Sequence, residues 1–188
     1  DEDMVFHEDY KFEGVGSPVA ESQYYPELIE FFKRFQLKTG LKIKFAIHPK
    51  SNFKKISKLL NGIHCSTGKT AQLIKDSSAV LLHASTSVSY AVLYKKPAIF
   101  LTSDELKKSW IGPRIEITAQ SVNGKLINIS NNINDELHND ESFKIDEKKY
   151  KNYLKQYLKT PNSPDLPLWE IINKYLKKNI TQKLSQKN

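Results

Sequence analysis

Several short polar stretches in this 188-residue chain carry residue types suited to handling an anion. One is His48-Pro49-Lys50. A histidine donates to a phosphate oxygen or protonates a leaving group near neutral pH, and a lysine beside it adds positive charge. Another is His83-Ala84-Ser85-Thr86-Ser87. Hydroxyls and backbone N–H groups at a helix start form a cradle for phosphate. Serine and threonine are also preferred there simply as helix caps. Thr102-Ser103-Asp104 is a further polar turn after an apolar run. Gly68-Lys69-Thr70 ends like a phosphate-binding loop, but the earlier glycine, Gly62, stands one residue too far away and no clear strand is expected before it. That spacing argues against an NTPase, while Lys69 or Thr70 still suits the wall of a crevice.

Other constellations carry less. His48, His64, Cys65 and His83 match none of the usual zinc-ligand spacings, so no metal is expected. The single cysteine, Cys65, excludes an intramolecular disulfide and reads as a structural thiol. No G-x-S-x-G elbow is present, which speaks against that type of serine hydrolase. Asp1-Glu2-Asp3 are carboxylates at a chain end, where a charged run is usually solvated, and Arg114 suits an anion clamp or a surface ion pair equally.

The elements that must position these residues follow from the apolar pattern. A helix is expected from Ser22, as cap, to Gly40, with Tyr25, Leu28, Ile29, Phe32 and Phe35 on one face. Residues 41–47 read as a strand that His48-Pro49 terminates. Short helices are expected over 53–60 and 69–75. The continuous apolar runs at 79–83 and 98–102 read as strands buried on both faces. Residues 88–94 and 104–110 read as helices and 126–129 as a last strand, whereas 1–20 reads as irregular. Strands alternating with helices predict βαβ units, hence an α/β, Rossmann-like parallel sheet with helices on both faces. Right-handed crossovers then bring the strand C-termini to one edge, where ligands bind. His48, His83 to Ser87, and Thr102 to Asp104 all fall at that edge. The domain is expected to span 1–130. Beyond it, 131–142 is loop-like, 146–158 and 168–184 are helical, and 160–167 is a proline-rich strap. Together they form a C-terminal helical extension over 131–188, with a frayed end.

Composition bounds the partners. Hydrophobic residues make up 39% and charged residues 27%, as in a globular domain, and apolar runs are too short to span a membrane. The net charge is +8, but Arg34 and Arg114 are the only arginines. Readers of nucleic acid lean on arginine for bidentate pairing, so no nucleic-acid partner is expected. Dispersed lysines suit an anionic membrane surface better, at ~1 kcal/mol each. The expected location is cytoplasmic, peripheral to the inner membrane.

The order of motifs in "IKFAIHPK" and "GKTAQLIKDSSAVLLHASTSVSYAVLYKKPAIFLT" resembles the C-terminal, nucleotide-binding half of GT-B glycosyltransferases. The likeness is greatest to sialyltransferase-like families of bacterial capsule and lipooligosaccharide synthesis. Those families carry an His-Pro motif and a later Ser/Thr-Ser/Thr motif that contact the nucleotide of a CMP-activated sugar. Here these are His48-Pro49 and Ser85-Thr86. The resemblance implies that His48 assists departure of the nucleotide and that Ser85 and Thr86 hold its phosphate. Lys50, Lys69, Thr70, His83 and Ser87 would lie around it, and no metal cofactor is implied. It also implies an N-terminal half, not found in these residues, that carries the glycan or glycolipid acceptor site and the general base. The chain is accordingly expected to be part of a longer protein, binding a nucleotide-sugar but inactive alone. A UDP-sugar epimerase of similar architecture and a non-catalytic nucleotide-binding module are the alternatives.

Overall fold

The computed structural model describes residues 4–6, 9–131, 143–160 and 162–185. The acidic start Asp1–Asp3, most of the loop expected at 131–142, and the last three residues lie outside that set. The described residues form two compact units, 1–154 and 155–188.

The first unit is an α/β fold of parallel strands flanked by helices. After a short helix α1 (Asp9–Phe12), within a stretch expected to be irregular, come α2 (Glu21–Thr39), β1 (Lys44–Ile47), α3 (Phe53–Leu59), β2 (His64–Thr67) and α4 (Thr70–Asp76). Then follow β3 (Val80–Leu82), α5 (Val88–Leu93), β4 (Ala98–Thr102), α6 (Asp104–Lys108), α7 (Gly112–Val122), β5 (Lys125–Asn128) and α8 (Glu147–Tyr153). Every strand pairing among the described residues is parallel. The strands form two sheets, β1-β2 and β3-β4-β5, instead of the single sheet expected. Both β1 and β3 line one cavity of about 300 Å³, so the gap between the sheets runs along their facing edges.

The handedness of parallel crossovers sets the layers. The chain moves one way from β1 to β2 and the other way from β2 through β3 and β4 to β5. Right-handed connections therefore put α3 on one face and α4, α5 and the α6–α7 pair on the other. α2 shares the α3 face, where Lys55 Nζ meets Glu21 Oε2 at 3.1 Å. It presents Tyr24, Tyr25, Leu28, Phe31, Phe32 and Phe35 to the core, and Gly40 closes it in the left-handed conformation (φ 71°). The expected cap at Ser22 is not used: Ala20 is the N-cap residue, its side chain makes no capping bond, and its amide donates to Glu105 Oε1 at 2.9 Å. β4 is buried at all five positions, and burying each such aliphatic or aromatic side chain contributes ~2 kcal/mol. Gly124 lies against this strand, where a Cβ would stand 2.5 Å from the Phe100 ring and 2.7 Å from the Ala98 carbonyl. α8 is fixed by Tyr150, whose hydroxyl donates to the Lys96 carbonyl at 2.7 Å.

The second unit contains a π-helical turn to Leu158 and the helix α9 (Leu168–Ser185). Leu168, Trp169, Ile172, Tyr175 and Leu176 make an exposed apolar stripe on α9. No helix among the described residues is long and apolar enough to cross a membrane.

Candidate functional site

The first two turns of α2 show where the strand ends meet. Glu21 pairs with Lys55 beyond β1, and Tyr24 reaches His83 beyond β3. The Ala20 amide binds Glu105 beyond β4, and Glu27 accepts from Ser130 beyond β5. The C-terminal ends of both sheets therefore share one edge, with the start of α2 across it. The strand order runs β2-β1, gap, β3-β4-β5, so the chain reverses its direction of travel at the gap. In parallel sheets that reversal opens a crevice beyond the strand ends, and ligands bind there.

His48-Pro49-Lys50 lies on the β1 side of the crevice, with His48 half-buried and Pro49 and Lys50 exposed. The Lys50 amide donates to His48 Nδ1 at 3.3 Å. Since Nδ1 is the acceptor, the neutral ring carries its proton on Nε2. That is the tautomer able to donate to an anion.

His83 to Ser87 lies on the β3 side. His83 is buried, and both its ring nitrogens are engaged. Nδ1 is 2.7 Å from the Leu101 carbonyl oxygen, which can only accept, so Nδ1 bears the proton. Nε2 then accepts from the Tyr24 hydroxyl at 2.7 Å. Burial pushes the ring's pKa down to about 4, against a smaller upward pull from the Leu101 carbonyl. His83 is neutral at physiological pH and ties β3 to α2 and β4. Beyond it, Ser85 Oγ receives the Ser87 amide at 3.2 Å and lies 2.8 Å from Ser87 Oγ. These two buried hydroxyls hold the turn in shape, and Thr86 between them is exposed at its tip.

The structure divides the expected residues into two sets. Thr70, His83 and Ser87 line the cavity between the sheets, together with Tyr24. His48, Pro49, Lys50, Lys69, Ser85 and Thr86 stand at the strand ends outside it. Thr102-Ser103-Asp104 is absorbed by the fold: Thr102 is buried, Ser103 Oγ caps α6 by accepting from the Leu106 amide, and Asp104 accepts from Asn128 at 2.7 Å. Arg114 is exposed at the start of α7. Contrary to expectation a strand, β2, does precede Gly68, but the glycine spacing still does not fit an NTPase loop. Cys65 is half-buried on β2, and desolvation raises its thiol pKa. Tyr24 does not stand out in the sequence as a site residue, although its spacing to Leu28, Phe31 and Phe35 is that of the α2 core face. No protein-family model, curated protein or solved structure matches the chain.

Proposed function

We propose that the first unit is the donor-binding domain of a glycosyltransferase, taking the nucleotide of an activated sugar, with a CMP-sugar as the leading candidate. The reversal of strand order between β1 and β3 supports this reading most, because polar turns of complementary chemistry follow both bordering strands. In this reading His48 Nε2–H donates to the bridging phosphate oxygen and assists departure of the nucleotide. The exposed Thr86 hydroxyl and the turn shaped by Ser85 and Ser87 hold the phosphate, and Lys50 and Lys69 add positive charge. Stabilising a leaving phosphate with fixed donors is a large catalytic contribution and needs no metal. His83 acts as a positioning residue, since its two nitrogens are already bonded inside the fold. A glycan or glycolipid acceptor would bind to an additional N-terminal half, and the work would be done in the cytoplasm beside an anionic membrane in surface-polysaccharide or lipooligosaccharide synthesis.

Thermal unfolding with CMP, UDP and GDP tests the proposal. A ligand at 100 times its dissociation constant stabilises by about 2.7 kcal/mol, which in a unit of this size raises the midpoint by roughly 5–10 °C. CMP is expected to give such a shift, and His48→Ala and Thr86→Ala to remove most of it. No shift with any of the three nucleotides would sink the reading.

A further inference from the structure

The gap between the two sheets separates two strands that each pair along one edge only, whereas the inner strands of a parallel sheet are paired along both. The sequence of β3, Val80-Leu81-Leu82, is the continuous apolar run of a strand buried on both faces, yet β3 is the edge of a three-stranded sheet. β1 likewise pairs along one edge only, with β2. The edges they turn toward each other border a cavity of about 300 Å³. Apolar side chains wall its two faces, Leu28, Phe32 and Phe35 from α2 on one and Leu73 and Ile74 from α4 on the other, and polar residues, among them Tyr24, Thr70, Ser77 and Ser78, line the rest. Strand edges that face such a gap hold N–H and C=O groups outside any ladder, and a further strand would pair them.

We propose that this gap is the seat of a sixth parallel β-strand, contributed by polypeptide that runs N-terminally into the Met4–Phe6 segment, completing one sheet in the order β2-β1-new strand-β3-β4-β5. Two independent placements fit that occupant. The first is α2. A strand in the gap, followed by α2 and then β1, makes a right-handed crossover only if α2 lies on the α3 face, and the Glu21–Lys55 pair puts it there. The second is the Met4–Phe6 segment. Phe6 stacks on Tyr25 at the start of α2 with centroids 6.1 Å apart, and Lys55 Nζ at the start of α3 lies 3.6 Å from the Phe6 ring. Met4 is fully buried, and its carbonyl accepts from Ser17 Oγ. This is the edge at which a strand parallel to β1 and β3 would leave the gap. A strand matching its neighbours needs about four or five residues, or ~13–17 Å, with apolar side chains on both faces.

The completed sheet has a functional consequence. Numbered along the chain, the new strand becomes the first and central one, and the reversal of strand order falls between it and β3. Met4–Phe6, α1 and the stretch from Glu13 to Ala20, with Gly14 at φ 68°, then belong to the connection after the central strand, on the side of the His83–Ser87 turn. The proposal stands apart from any ligand, because it concerns the pairing of strands.

The test compares the 188-residue chain with the same chain extended by any residues its gene encodes immediately upstream; a gene that encodes none overturns the proposal. Backbone NMR and amide hydrogen exchange are read at β1 and β3. In the extended chain, cross-strand nuclear Overhauser effects are expected from the added residues to both β1 and β3. The amides of these strands that face the gap are expected to exchange about 100-fold or more slowly than in the shorter chain. Direct cross-strand effects between β1 and β3, such as Phe45 to Leu81, would overturn the proposal in either chain, and the shorter chain alone suffices to detect them. Unchanged exchange on extension, or a gap filled only in a concentration-dependent dimer, would overturn it as well.

Discussion

His83 makes the stability of the first unit depend on pH in a calculable way. Its pKa is about 4 in the fold, against an ordinary 6.5, because burial disfavours the charged ring. Between these values the unfolded chain binds one proton that the folded chain refuses. Stability is therefore fully present above the unfolded pKa and declines as the pH falls from 6.5 toward 4. A tenfold difference in proton affinity between the two states corresponds to about 1.4 kcal/mol, so the complete loss is about 3 kcal/mol, a large share of the roughly 5–15 kcal/mol that typically holds a domain together. Carboxylates titrate in the lower part of that range too, and His83→Asn separates the two contributions. Urea unfolding at constant ionic strength, followed by circular dichroism from pH 7.5 to pH 4.5, is the assay. Wild type is expected to lose about 2.5 kcal/mol more than His83→Asn over that interval. Parallel curves for the two proteins would refute the argument, since they would mean that the ring takes up its proton without leaving its site. The Tyr24 bond gives a check at neutral pH. Tyr24→Phe leaves Nε2 buried without a donor and is expected to cost about 1–3 kcal/mol.

Three further outcomes follow from other parts of the chain. Gly124→Ala drives a methyl group into the Phe100 ring and the Ala98 carbonyl, so a loss of about 1–3 kcal/mol is expected in urea unfolding; an unchanged midpoint would show that β4 and the α7–β5 turn are not packed this way. Tyr150→Phe orphans the Lys96 carbonyl and is expected to cost about 1 kcal/mol. With the tyrosine present, burial pushes its phenol up to about 12, so its absorbance should resist titration at pH 10.5. On α9 the exposed Trp169, Ile172 and Tyr175 share a helix with Lys174, Lys177 and Lys178; the chain is expected to sediment with phosphatidylglycerol vesicles, not with phosphatidylcholine vesicles, and to be released by salt.

The sequence pattern reveals those elements whose own residues decide their structure. β4 occupies 98–102 as expected because an unbroken apolar run has no exposed alternative there, and Gly40 ends α2 because its φ of 71° costs a glycine nothing. β2 was not legible. Its residues His64-Cys65-Ser66-Thr67 have no apolar periodicity, and the strand exists because β1 offers it a ladder. α7 lies in a stretch to which the sequence pattern assigns no element, between the helix expected at 104–110 and the strand at 126–129; its proline sits in the first turn, where it costs no hydrogen bond. The polar turns after β1 and β3 were visible as chemistry, whereas the engagement of both His83 nitrogens was not. That depends on Tyr24, 59 residues away, and on the Leu101 carbonyl of a neighbouring strand.

The same contact links the crevice to the gap. Tyr24 lines the cavity and its hydroxyl bonds His83, so one buried hydrogen bond ties the helix over the gap to the start of the turn that follows β3. Glu21 and Glu27, on either side of it in α2, reach the ends of β1 and β5. The pairs at Glu21 and Glu27 are exposed, and exposed pairs contribute little, whereas the Tyr24–His83 bond is buried and costs its full desolvation when broken. Filling the gap with a strand therefore need not move the turn. The roof is already held by a contact that does not involve the gap's occupant, and the strand would supply the missing ladder bonds beneath it. Under the proposed nucleotide-binding reading, a completed sheet should sharpen that binding by anchoring the Met4–Phe6 segment, with Tyr24 and His83 unchanged. Histidine resonances give the direct comparison: the His83 proton should remain on Nδ1 in both the 188-residue chain and its extended form, while the backbone of β1 and β3 changes around it.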